Sequence, residues 1–79
     1  SEGVYVLDNE PRNKEICNLN EKLIDLGKNV CIWPSDVTQK DPNDMIMAGY
    51  TRREIKKIID ENTCSGLVAK HRLNQWNRT

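Results

Sequence analysis

The chain has 79 residues, of which 37% are hydrophobic and 30% charged; it contains no Phe, and its mean hydropathy is -0.75. A chain this short buries only about 60% of its unfolded surface, so it is one small domain at most, and its few large apolar side chains point to a piece of a larger one. No stretch approaches the roughly 18 apolar residues of a membrane span, no signal peptide is visible, and the apolar runs and helix caps argue against disorder.

Formal charge sums to zero, yet it is unevenly distributed. Acidic side chains outnumber basic ones nine to five in residues 1–51, and basic outnumber acidic seven to three in 52–79. An acidic front with a basic back suits a metal-dependent site beside a polyanion, and it equally suits an ordinary solvated surface. Cys17, Cys31 and Cys64 share no C-x-x-C spacing, so neither a disulfide framework nor a zinc site is indicated, and a reducing, intracellular setting fits.

Ser1 and Glu2 read as a frayed start. Val4-Tyr5-Val6-Leu7 is a continuous apolar run of the kind that forms strands buried on both faces inside parallel sheets. Asp8 and Glu10 stand just past its carboxyl end, where ligands collect in open α/β sheets, and two carboxylates separated by one residue can reach one hard cation. Local structure is the competing account, because Asp8 or Asn9 also suits the cap of a helix beginning near Pro11.

That helix is expected from about Arg12 to Leu26, with Ile16, Leu19, Leu23, Ile24 and Leu26 as its apolar stripe and Gly27 at its left-handed end. Val30-Cys31-Ile32-Trp33 follows as a second strand, closed by Pro34, with Cys31 as a small core residue. Strand, helix and strand make a βαβ unit whose strands run parallel and end at one rim. Asp41 as N-cap and Pro42 at the first helical position then start a short helix to Ala48, with Asp44 accepting amides in its first turn and Gly49 ending it. Capping explains these acids as local structure, whereas the functional reading returns a second set of carboxylates to the rim of Asp8 and Glu10.

Thr51-Arg52-Arg53-Glu54 is a capping box with Tyr50 and Ile55 as its staple, and the helix it opens buries Ile55, Ile58 and Ile59 and runs to about Glu61. Asn62-Thr63-Cys64 reads as a turn. Leu67, Val68, Ala69, Leu73 and Trp76 carry a last helix from Ser65 or Gly66. Trp33 and Trp76 read as core or interface residues, and His71, the one histidine, as an ordinary surface residue. The fold class is therefore α/β: a βαβ core with an acidic loop over residues 1–50 and a helical tail over 51–79.

The runs Val4-Tyr5-Val6-Leu7-Asp8-Asn9-Glu10-Pro11-Arg12, Ile32-Trp33, Lys40-Asp41-Pro42-Asn43-Asp44-Met45-Ile46 and Ser65-Gly66-Leu67-Val68-Ala69-Lys70-His71-Arg72-Leu73 resemble, in order and spacing, the C-terminal part of the TOPRIM catalytic domain of DNA primases from T-even-like tailed phages. The resemblance implies a partial Rossmann-like domain that makes RNA primers on single-stranded DNA by nucleotidyl transfer, with Mg2+ or Mn2+ as cofactor. It assigns the metal to Asp8 and Glu10, with Glu10 replacing the usual second Asp, and adds Asp41 and, in a lesser role, Asp44; Asn43 departs from the D-P-D of bacterial primases. Arg12, Lys14 and Lys40 become phosphate-binding residues.

The family's invariant Glu and its zinc module are absent from these residues, so the chain alone is expected to be inactive. The implied partners are template, ribonucleotides and a replicative helicase in the host cytoplasm, and a sheet edge left open invites self-association. Two other classes stay open: another TOPRIM enzyme, nuclease or topoisomerase, and a non-catalytic replisome interaction module whose acids only cap helices.

Overall fold

The computed structural model describes residues 3–78, so the expectation for Ser1 and Glu2 lies outside the described residues. Three short strands form one mixed sheet in the order β1 (Val4–Tyr5), β2 (Asn29–Cys31), β3 (Thr63–Cys64). β1 and β2 run parallel, Val4 opposite Asn29 and Tyr5 opposite Val30, and the helix between them, α1 (Lys14–Asp25), makes the expected βαβ unit.

The third strand corrects the turn expected at 62–64. β3 pairs antiparallel with β2, Val30 opposite Cys64 and Cys31 opposite Thr63, and the ladder is prolonged where the Ile32 amide donates to the Asn62 carbonyl at 3.1 Å. Two residues carry no alternation for a sequence pattern to detect; they become a strand because β2 has an open edge beside them. The sheet is accordingly mixed rather than parallel.

β2 divides the core. Val30 and Ile32 face Ile24 of α1 and Ala69, Leu73 and Trp76 of α4 (Gly66–Asn77), whereas Cys31 and Trp33 face Val37, Met45 of α2 (Pro42–Met47) and Ile55 of α3 (Arg52–Glu61). Alternate side chains of one strand thus enter two separate apolar clusters, the period of two expected of extended backbone. Cys31, Trp33 and Trp76 are core residues, as expected, and His71 is exposed.

The first strand is different. Val4, Tyr5 and Val6 are all exposed, so the burial on both faces expected of this run is corrected: β1 is an edge with β2 on one side and, among the described residues, no strand on the other. The α1 stripe also shifts. Its buried side is Ile16, Cys17, Asn20, Leu23 and Ile24, and Leu19 and Leu26 are exposed. Cys17 bonds Asn77 and Asp25 pairs with Lys70 on the α4 side of the helix, so Leu19 and Leu26 sit on the opposite, exposed flank. Leu67 and Val68 of α4 are likewise exposed, which narrows its buried face to Ala69, Leu73 and Trp76.

Helix ends follow local chemistry closely. α1 begins at Lys14, two residues later than expected, because Pro11 occupies a turn closed by the Asn13 amide on the Glu10 carbonyl at 3.0 Å. Asn13, rather than Asp8 or Asn9, is the N-cap, its Oδ1 accepting from the amides of Glu15 and Ile16. α1 and α2 both close with six-to-one and five-to-two bonds, Lys28 to Leu23 with Gly27 to Ile24, and Tyr50 to Met45 with Gly49 to Ile46. This closure needs a left-handed residue, and Gly27 (φ 79°) and Gly49 (φ 108°) supply it. The α3 capping box is complete, with Thr51 Oγ1 accepting from the Glu54 amide and Glu54 Oε1 from the Thr51 amide. The Thr51 amide first, and the Thr51 side chain second, favour the carboxylate and hold the Glu54 pKa below its ordinary value.

The radius of gyration is 12.0 Å, against about 11.6 Å for a compact 79-residue domain, so these residues pack as one body despite the open edge. Among the described residues no helix is long and apolar enough to cross a membrane.

Candidate functional site

Beyond Tyr5 the β1 backbone turns sharply. The Glu10 amide donates to the Asp8 carbonyl at 2.9 Å, a three-residue turn with Asn9 at its apex. Asn9 is the organiser of this rim. Its backbone amide donates to the Lys40 carbonyl at 2.6 Å, its Nδ2 donates to the carbonyls of Val37 (2.8 Å) and Gln39 (3.0 Å), and its Oδ1 accepts from Trp76 Nε1 at 2.9 Å. One residue thereby ties the exit of β1 to the loop before α2 and to the last helix. Trp33 adds a parallel tie, its Nε1 donating to the Leu7 carbonyl at 2.8 Å.

These bonds bring the segment bearing Asp8 and Glu10 beside the segment bearing Lys40 and Asp41. Asp8 and Glu10 are half-buried and lie outside the two ion pairs seen among the described residues, Lys56 with Asp60 and Lys70 with Asp25. Asp41 is half-buried and works as the α2 N-cap, Oδ1 accepting from the Asp44 amide at 2.8 Å. The Asp44 side chain is exposed in the first turn of α2, and Asp44 contributes its amide to the cap rather than receiving one as expected. Arg12, Lys14 and Lys40 are exposed around the same rim.

The backbone ties the segments that carry these carboxylates together without gathering the side chains into a cage. Among the described residues no three His, Cys, Asp or Glu side chains converge as a metal cluster. The donor chemistry nonetheless fits magnesium, which takes hard oxygen ligands and is usually held by one or two carboxylates, with substrate phosphates and water completing its shell. Close by, Gln39 Oε1 is buried without a donor, a polar atom of this rim that its own fold leaves unpaired.

Two cavities open beside the rim. One, about 290 Å3, is bounded by Asn9, Pro34, Ser35, Thr38 and Trp76. The other, about 300 Å3, lies between the exit of β2 and α4 and shares Pro34, Ser35 and Trp76 with the first. Both stand outside the carboxyl end of β2, where a parallel α/β unit gathers ligands. Sequence reasoning missed the bonding role of Asn9, whose one visible signal was an amide flanked by two acids, and it singled out neither Arg72 nor Gln75, which line the second cavity.

No protein-family model matches the chain. Over 75 residues it is 41% identical to the DNA primase of Enterobacteria phage T4, an alignment that takes in 92% of this chain and 22% of that protein. The chain thus spans about a fifth of the length of the relative it matches. The similarity supports a reading as a piece of a primase, carried on a small mixed α/β domain with a three-stranded sheet.

Proposed function

We propose that the chain is part of the TOPRIM catalytic domain of a DNA primase and supplies its metal-binding rim. The observation that carries this is the tie from Asn9 to Lys40, which sets the Asp8–Glu10 turn against the start of α2 in a chain 41% identical to a primase. In the intact protein the reaction is nucleotidyl transfer on a single-stranded DNA template: a primer 3′-oxygen forms a bond to the α-phosphorus of a ribonucleotide, the bond to the β-phosphate oxygen breaks, pyrophosphate leaves, and the hydroxyl proton passes to solvent. Magnesium or manganese, when bound, neutralises phosphate charge and lowers the pKa of the attacking hydroxyl.

Asp8 and Glu10 are the principal ligands in this reading, held at fixed spacing by the turn around Asn9; Asp41 is third and Asp44 an outer contributor. Arg12, Lys14 and Lys40 offset the charge of incoming phosphates from the exposed side of the rim. The open edge of β1 is where a further strand of a longer protein, or a second copy of this chain, would pair. A replicative helicase is the partner protein in this reading, and the host cytoplasm its compartment.

Asp41 separates ligation from capping. Asp41→Ser keeps a capping oxygen and removes a carboxylate, so in a full-length primase carrying this segment it should leave thermal stability nearly unchanged and lower primer synthesis at least tenfold. Asp8→Ala should abolish synthesis with the fold retained, and substantial residual synthesis would defeat the assignment. The 79-residue chain alone should make no primers.

A further inference from the structure

The cavity between the exit of β2 and α4 includes none of the carboxylates or basic residues assigned to the rim. Its polar lining is Arg72, Gln75, Ser35 and Asn62, and its apolar lining is Ile32, Trp33, Pro34 and Trp76. No carboxylate lines it. Arg72 is half-buried, takes part in neither ion pair seen among the described residues, and lies against the Cys64 thiol, whose pKa burial raises and the guanidinium only partly pulls back. A guanidinium partly withdrawn from water, with no counter-charge among the described residues, favours an anion arriving from outside. Asn62 Nδ2 already donates to the Ile58 carbonyl at 2.7 Å, which leaves Arg72, Gln75 and the Ser35 hydroxyl as donors.

Burial of an arginine stem against tryptophan also has a purely structural explanation, in which the charged head simply remains in water. What that explanation does not supply is three donors from two elements, Arg72 and Gln75 of α4 and Ser35 beyond β2, meeting around one apolar-walled space. At about 300 Å3 the space is at the lower limit of small-molecule pockets, which suits one nucleotide and not a length of strand. We infer that this cavity is a metal-independent nucleotide site, in which Arg72, Gln75 and Ser35 take a phosphate and the wall of Ile32, Pro34 and Trp76 takes the base. It needs no metal and none of the carboxylates, so it stands or falls separately from the catalytic rim.

The chain carries two tryptophans, and both line this cavity, so indole emission reports on it directly. The 79-residue chain is titrated in EDTA with adenosine 5′-monophosphate and, separately, with inorganic phosphate, exciting at the red edge of indole absorption. A saturable emission change with the nucleotide is expected, with a dissociation constant of about 1 mM or tighter and weaker binding of phosphate. Arg72→Gln should weaken nucleotide binding about tenfold or more, and Arg72→Lys should restore part of it as a point charge. Because a variant can fail to fold, the wild-type chain is also followed by nitrogen-proton spectra, in which the Arg72 Nε, Gln75 side-chain amide and both indole signals should move together. Absence of a saturable change, shifts confined to other residues, or binding of an oligothymidylate without the mononucleotide would each overturn the assignment.

Discussion

Val4–Leu7 and Val30–Trp33 are the same kind of sequence, four apolar residues ending in a turn, and they have opposite fates. In the second, each of the four side chains is at most 5% exposed; in the first, Val4 and Tyr5 are each 43% exposed. The difference lies in neighbours, since β2 has strands on both sides and helix pairs on both faces, whereas β1 has, among the described residues, a strand on one side only. Hydrophobicity therefore reports what a segment can bury, and the elements around it decide how much is buried. An edge this apolar matches a chain that spans 22% of its relative.

The contrast is sharpest at the two aromatic residues. Trp33→Ala removes a core side chain and the donor to Leu7, with an expected loss of about 3–5 kcal/mol, enough to unfold a domain of this size or nearly so. Tyr5→Ala on the edge should cost less than about 1 kcal/mol. Equal losses in thermal or urea unfolding would mean that β1 is not an edge in solution. Next in size is the stitch between the two strand exits. Asn9→Ala strips the Val37 and Gln39 carbonyls of a donor and Trp76 Nε1 of its acceptor, and about 2–3 kcal/mol is expected, read as a lowered urea midpoint.

Smaller still is Asp41→Ala, expected to lose about 1 kcal/mol through the α2 cap. The centre of the sheet also carries a pH signature. Burial first, and the nearby Cys64 second, push the Cys31 thiol up to about 12. The unfolded chain ionises Cys31 near the ordinary thiol value while the folded chain does not, so this thiol leaves stability untouched at neutral pH and lowers it as pH rises from about 9 toward 12. Cys31→Val should flatten that alkaline decline in unfolding midpoints measured across pH.

Much of this architecture was legible in order. Asp41, Pro42 and Gly49 marked α2, and Thr51 with Glu54 marked α3, because capping is chemistry between residues close in sequence. The βαβ unit and the burial of Val30–Trp33 followed from period and run length. What was not legible depended on distant partners: β3 exists because β2 offers it an edge, Leu19 and Leu26 are exposed because α4 covers the other flank of α1, and Asn9 matters through bonds to residues 28 to 67 positions away. The site divides likewise. Asp8, Glu10 and Asp41 could be named as candidates by type and spacing, and the approach of the two segments that carry them followed from parallel strands, while the Arg72 cavity assembles from three remote segments that share no local pattern.

The finest test of the comparison is a matched pair of Val→Thr changes, which alter shape little and replace a methyl group by a hydroxyl. At position 30 the hydroxyl enters the cluster of Ile24, Ile32, Ala69, Leu73 and Trp76, beside a side chain with no exposed surface, and must find a partner or lose its bond to water. About 1–3 kcal/mol is expected there. At position 6 the side chain already meets solvent, and Val6→Thr should change stability by no more than about 0.5 kcal/mol. Any concentration dependence supplies the remaining discrimination: if the edge pairs with a second copy at high protein concentration, Val6→Thr should acquire a cost there that it lacks in dilute solution, whereas Val30→Thr should cost the same at both.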